Sequence, residues 1–561
     1  MSSKRYGWLI GLFALACLGE AEAQVAGGLY LQLEVSGDTY RSGAEGEPEL
    51  ANWETLLALR RATSDPGVRG LWIDLERSPS IARAQELRGA LRAMRQSGRE
   101  VIVHAESGLD TIGYYLASAA NRIALSPFSM LELTGLRLEA TFLRGAFEKS
   151  GLTADILRSG RFVAAAEILT RESMSESFRE MADSVLEGIY SEVVHGIAEG
   201  RETTVEQIQT WMSQGPYSAM PAARAELGLI DDVGHRDELI EKLRGRVTSD
   251  LSIRGLGEYA RSQPQVARPD RIALVSIDGL LIHGESRHDA VLGKLEGSST
   301  LAALLREIRA SSGVRAVVLR VESPGGSLLA ADLVRREVEL LARAKPVVVS
   351  FGDIGGGAAY FFAAPAQRIL AMPTTLTGSI GLMEGEVNWH QVLTRLGVEK
   401  ELLRRGQIPP ATATDVTQAR SRRQSRLNEQ YRQAVARIAA DRQVVPKLSA
   451  DFVDSAGKGR IWTGRQALEF RLIDELGGLD EAIARAQELA GLSMQTIVPL
   501  APASTTSVDW WQRLRQVVGA SITIDVPIEE GWEGPAAVLG LFSWIGTEGP
   551  LMMQPLDLVV R

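Results

Sequence analysis

The chain repeats itself at a fixed interval, and that constrains its fold more than any other feature. Gly67-Val68-Arg69 leads into the apolar run Gly70–Leu75, and Gly313-Val314-Arg315 leads into Ala316–Val321. The two arginines are 246 positions apart (315 − 69). The same interval carries Tyr114-Tyr115-Leu116-Ala117 onto Tyr360-Phe361-Phe362-Ala363, Arg122-Ile123 onto Arg368-Ile369, and Pro127 onto Pro373. Near the end of each copy, Leu229-Ile230-Asp231-Asp232-Val233-Gly234 echoes Leu472-Ile473-Asp474-Glu475-Leu476-Gly477. A register held over about fifty residues means two copies of one fold.

Within each copy, short apolar runs such as Val101–Val103 and Val347–Val349 alternate with stretches of helical spacing, Ala82–Gln96 and Ala331–Ala344. Strands separated by helices imply α/β units with parallel strands. The expected organisation is an N-terminal signal over 1–23, a first repeat over 24–261, a linker over 262–270, a second repeat over 271–497 and a C-terminal extension over 498–561. The linker holds Pro264 and Pro269. The extension carries Trp510, Trp511, Trp532 and Trp544 and has no copy in the first half. It reads as a small added module or as an arm that packs on a partner.

At the N-terminus, Lys4 and Arg5 precede the apolar segment Trp8–Leu18. That segment is shorter than the roughly 20 residues a membrane span needs. Ala21-Glu22-Ala23 offers a signal-peptidase site ahead of Gln24, while Phe13–Ala16 followed by Cys17 also fits a lipobox. Both readings export the protein to the bacterial periplasm or cell envelope, and the second anchors it through Cys17. Cys17 is the single cysteine, which excludes an intrachain disulfide and a cysteine-based metal site. The six histidines form no HExxH pair, so neither metal nor cofactor is expected. A net charge of −9 gives no field to attract nucleic acid.

Three motifs in the second half suggest a site. Ser323-Pro324-Gly325-Gly326-Ser327 follows a strand, and such a glycine pair can turn backbone N–H donors toward an oxyanion or a bound peptide. A tight turn without a ligand is the competing reading. Gly355-Gly356-Gly357-Ala358-Ala359 opens a helix before Tyr360, and Leu376-Thr377-Gly378-Ser379-Ile380-Gly381 comes next. The first half has Arg77-Ser78-Pro79-Ser80 in place of the glycine pair, which confines any oxyanion hole to the second half.

In this order and spacing the motifs resemble signal peptide peptidase A (protease IV, peptidase family S49) in its long two-repeat form. The resemblance covers about residues 27–495. It implies an α/β fold of two tandem ClpP/crotonase-like repeats. It also implies a metal-free Ser/Lys endopeptidase of the cell envelope that degrades signal peptides and other hydrophobic peptides within an oligomer.

The same resemblance places both catalytic positions on residues that cannot act. The family's Met-Ala-Ala-Ser-Gly-Gly-Tyr stretch falls on Ile354–Tyr360, with Gly357 at the nucleophile. Glycine has no hydroxyl with which to form an acyl-enzyme. The family's Tyr-Lys-Ser-Ala stretch falls on Phe162–Ala165, with Val163 at the base, Glu167 beyond it and Met174-Ser175 downstream. Valine accepts no proton, and Arg161 stays charged.

The expectation is a pseudoprotease that binds hydrophobic peptides, as a homo-oligomer or together with an active relative. An active hydrolase with a displaced nucleophile is the alternative, Ser379 foremost and Ser327 or Thr111 behind it. A further alternative is crotonase-type thioester chemistry. Asp353 reads as a loop cap or a carboxylate base; His104 and His390 read as structural. Lys149 and Lys400 lie far from the motifs. The basic run Arg420–Arg426 reads as a solvated helix face, a subunit contact or a contact with anionic lipid headgroups.

Overall fold

A computed structural model describes residues 28–41, 49–223, 227–246, 251–262, 270–289, 292–388, 390–395, 397, 405, 413–442, 446–492, 496–500, 550–553 and 559–560. The signal region with Cys17, Lys400 and the four tryptophans of the extension lie outside the described residues. By contact density the chain forms two compact units. One gathers residues 1–79, 87–134 and 197–264; the other gathers 80–86, 135–196 and 265–561. Residues 135–196, numbered within the first copy, thus fold into the second unit.

The first unit is built on a parallel sheet. Its strands run in the order Asp232–Val233, Arg122–Leu125, Glu100–Ala105, Val68–Arg77, Leu29–Ser36 and Ser252–Gly255. In the second unit the order is Glu475–Leu476, Arg368–Ala371, Val347–Gly356, Val314–Ser323, Arg271–Asp278 and Thr496–Leu500, again parallel. Each strand of one list answers its counterpart in the other, so the α/β fold of two tandem repeats expected from the sequence is present. Parallel strands are covered on both faces, which is why they read as unbroken apolar runs.

Side-chain bonds repeat as well. Tyr114 Oη donates to the Leu229 carbonyl at 2.7 Å, and Tyr360 Oη donates to the Leu472 carbonyl at 2.7 Å. The Ile123 N–H donates to Asp231 at 2.8 Å and the Ile369 N–H to Asp474 at 2.7 Å. Buried donors and acceptors must be paired. Tyrosine and aspartate therefore recur at the same places because each copy has the same unpaired backbone groups to satisfy.

The second unit carries a second sheet of seven strands. Its strands run Arg287–Asp289, Gly293–Gly297, Leu280–Ile282, Gly325–Ser327, Leu551–Met553, Leu382–Asn388 and Thr153–Ser159. Two members come from far along the chain. Thr153–Ser159 pairs antiparallel with Leu382–Asn388, which brings the Val163 region into this unit. Leu551–Met553 pairs antiparallel with Gly325–Ser327, and Leu551 is also registered with Met383 on the other side. In the first unit a separate three-stranded sheet, Tyr217–Ser218, Met130–Glu132 and Gly108–Asp110, stands alone.

Candidate active site

Gly357 sits where the strand Val347–Gly356 turns into the helix Ala358–Ala363. Its backbone is at φ 55°, ψ −117°. A left-handed residue on a sharp strand-to-helix turn is the geometry of a nucleophile elbow, which pushes one side chain out above the sheet. The turn is held by the Gly357 N–H donating to the Gly378 carbonyl at 2.9 Å and by Thr377 Oγ1 donating to the Gly355 carbonyl at 2.6 Å. The residue at the tip of this turn is glycine, which presents no side chain.

The glycine pair stands opposite. Gly325 and Gly326 have φ of 120° and 149°, a region that L side chains rarely adopt. A Cβ on Gly325 would be 3.1 Å from the Ala358 N and still closer to the Met552 carbonyl oxygen. Ala358 follows the elbow residue, and its N–H is where such a turn offers an oxyanion donor. The Met552 carbonyl oxygen and the Ala358 N therefore both lie beside Gly325. Ser327 accepts from the Ala330 N–H at 3.4 Å and caps the helix Leu328–Ala344.

Val163 is buried at the N-terminal cap of the helix Ala164–Thr170. Its Cγ2 would lie 2.8 Å from a Cβ on Gly381 and 2.6 Å from one on Gly459. It therefore closes onto the loop that follows Ser379. Around it the framework is intact: Glu167 accepts from Ser175 Oγ at 2.8 Å and from Arg158 Nη1 at 2.6 Å, and the Phe162 N–H donates to the Lys458 carbonyl at 2.8 Å. Lys458 went unnoticed in the sequence because it lies far downstream. Its Nζ is 3.2 Å from Asp454 and half exposed, an ion pair rather than a buried free amine.

Ser379 is brought to the same place. It is buried and held at φ 51°, its N–H donates to the Arg460 carbonyl at 2.7 Å, and its Oγ donates to the Met553 carbonyl at 3.3 Å. Gly325, Gly326, Gly357, Val163 and Ser379 thus converge on one cleft. Thr111 lies in the other unit, bonded to the Glu132 and Thr134 carbonyls at 3.2 and 2.8 Å. His104, also in that unit, is buried 3.6 Å from Asp74. Lys149 is exposed on the helix Arg144–Ser150, and His390 opens the helix His390–Arg395.

The cleft is filled by the strand Leu551–Met553. The Leu328 N–H donates to the Pro550 carbonyl at 3.0 Å, extending the ladder by one residue. Leu551 and Met553 join Val163, Met383, Leu280 and Ile282 in one apolar cluster. Met552 belongs instead to the main core cluster, which also holds Ala358, Ala359 and Tyr360. Side chains on alternate faces are what a strand requires.

Behind the elbow lies a charge cluster in which Arg320 and Glu86 are buried and Glu322, Asp353 and Arg83 partly buried. Arg320 donates to both oxygens of Glu86 at 2.9 and 2.6 Å. Glu322 accepts the Asp353 and Ile354 N–H groups at 2.9 Å each. Asp353 accepts from Ser80 Oγ at 2.6 Å and from the Ala82 and Arg83 N–H groups at 3.1 Å, and Arg83 Nε is 2.9 Å from it. Asp353 is therefore a helix cap and not a free base. Burial, together with the Asp353 carboxylate, pushes Glu322 up to about 8. The basic run is also engaged: Arg420 pairs with Asp155, Arg423 with Glu386 at 3.3 Å, and Arg426 with Glu384 at 2.7 Å. Among the described residues no helix is long and apolar enough to cross a membrane, and no three or more His, Cys, Asp or Glu are grouped to hold a metal ion.

Comparison with known proteins bears on the same segments. The sequence profile of peptidase family S49 matches residues 93–249 and 339–493. The chain is 29% identical to the chloroplastic serine protease SPPA of Arabidopsis thaliana over 84% of this chain and 71% of that protein. It is 26% identical to protease 4 of Haemophilus influenzae over 82% and 76%. It is 27% identical to protease 4 of Salmonella typhi over 86% and 82%.

Proposed function

The chain belongs to peptidase family S49, and on that premise we propose that it is a non-catalytic member that binds extended hydrophobic peptides. One observation carries the reading: a complete nucleophile elbow whose presenting residue is Gly357. Without a hydroxyl there, and with Val163 where the base would stand, the cleft keeps only its backbone donors and its apolar walls. Those bind a peptide strand but do not cleave it; what is left is at most the weak catalysis of an oxyanion hole alone. The N-terminal pattern around Cys17 supports export to the bacterial envelope, with peptides or an active relative as partners. Mass spectrometry of the mature N-terminus separates a Gln24 start from a lipidated Cys17.

Ser379 supports the second reading, an active hydrolase. It is a buried hydroxyl beside the elbow with a strained backbone, and strain of this kind gathers at functional sites. Incubation with a serine-reactive fluorophosphonate and a hydrophobic peptide ester, on a chain whose site is open to the probe, decides between them. The non-catalytic reading expects no labelling and no turnover. Labelling that disappears in Ser379→Ala would establish the second.

A further inference from the structure

We propose that Pro550–Met553 is the resident occupant of this cleft, and that an extended apolar peptide enters only by displacing it. This rests on the reading of the cleft as a peptide-binding site and adds what holds the site when no peptide is bound.

Three observations carry it. The segment is a strand placed between two others, Gly325–Ser327 and Leu382–Asn388, as an added peptide strand would be. Its backbone is fitted to the degenerate elbow: a Cβ on Gly357 would stand 2.6 Å from the Met552 carbonyl carbon and 2.8 Å from the Met553 nitrogen, so only glycine admits it. Its side chains are fitted to the degenerate base position, because Leu551 and Met553 share their cluster with Val163, where a lysine would place a charge. Both departures from the catalytic pattern therefore complement one short stretch of this chain. A second contact follows it, Val559–Val560 pairing antiparallel with Leu138–Glu139.

The same contacts define what competes. The incoming segment must be extended and must carry apolar side chains at both positions facing Val163. The position between them must be apolar, because Met552 lies in the main core. A ladder of three residues is short beside the usual strand of about five, and a short ladder suits a segment that exchanges. While it is seated, the apparent affinity for a competitor falls by the fraction of molecules with an open cleft.

The probe is a fluorescent peptide spanning residues 549–555, titrated into the full chain. A chain carrying Leu551→Asp with Met553→Asp should bind it about ten-fold more tightly than wild type, and adding Gly357→Leu should abolish that binding. Equal affinity in wild type and the tail variant would overturn the proposal. A locking pair guards against misfolding: Met383→Cys with Leu551→Cys, in a Cys17→Ser background, joins two registered partners. The oxidised form should exclude the probe and the reduced form should admit it. Equal binding in both forms would overturn the proposal, as would a cross-link that joins two chains, which would assign the strand to a second copy. Hydrolysis of the probe by the tail variant would defeat the non-catalytic reading while leaving displacement intact. Absence of displacement without hydrolysis would do the reverse.

Discussion

A Cβ placed on Gly357 would lie 2.6 Å from the carbonyl carbon of Met552. In an active elbow that space belongs to the nucleophile and the carbonyl it attacks. Here the Met552 carbonyl stands beside residue 357, and on the proposed reading it seats there because no side chain occupies the position.

Gly357→Ser should therefore loosen the strand before it restores any chemistry. A side chain at φ 55° also meets backbone strain, of order 1–3 kcal/mol. The expected outcome is a lower Tm together with faster hydrogen exchange at Leu551–Met553. Unchanged exchange there would mean that the strand and residue 357 are not in competition.

Val163→Lys should cost more than its exposed equivalents, because the amine enters the cluster of Leu551, Met553 and Met383. Burial lowers a lysine's pKa in the folded chain, so below the ordinary lysine range the unfolded chain binds more protons. Stability should then rise with pH up to about 10.4, above which the amine is neutral in both states. Thermal melts between neutral and alkaline pH check this, and a Tm deficit that stays flat would contradict it.

Glu322 titrates in the opposite sense. Its pKa is raised from 4.5 to about 8, so the folded chain holds the extra proton across that window. The stability it contributes is present at low pH and declines as pH rises through the window. Glu322→Gln keeps an acceptor for the Asp353 and Ile354 N–H groups and removes the titration. Relative to wild type, the variant should be more stable at pH 8.5 than at pH 5, and a difference independent of pH would contradict the assignment.

Tyr114→Phe and Tyr360→Phe should cost about the same, roughly 1–3 kcal/mol each, because each leaves one buried carbonyl unpaired. The bonds they remove are both 2.7 Å long and end on equivalent residues, Leu229 and Leu472. Denaturant melts of the two variants measure it; a large cost at one and none at the other would show that the copies have diverged in packing.

The pair of parallel α/β repeats was legible because it follows local signals, while the strand order within each sheet appears only in the structure. Apolar runs, turn residues and the tyrosines recur at one interval of 246, the aspartates Asp231 and Asp474 at 243 (474 − 231), and each marks a strand or a buried bond. Convergence of Gly357, Gly325-Gly326 and Ser379 was legible for the same reason, since each lies at the end of a recognisable strand. The tail strand was not. Leu551-Met552-Met553 is too short to show a period, and its partners Gly325–Ser327 and Met383 lie far upstream. The transfer of residues 135–196 to the second unit was hidden likewise, because it depends on Thr153–Ser159 pairing with Leu382–Asn388. Asp353 reads in the sequence as a loop cap or a base, but its link to Glu322, Glu86 and Arg320 was not legible because these residues are distant in sequence.

The most direct test is made on an open cleft, since a covered one is silent whether or not it can react. The full chain carrying Leu551→Asp and Met553→Asp should be mixed with a hydrophobic peptide ester and a fluorophosphonate probe. The account predicts peptide binding with no ester turnover and no covalent label. Turnover and labelling in that variant, both abolished by adding Ser379→Ala, would contradict it.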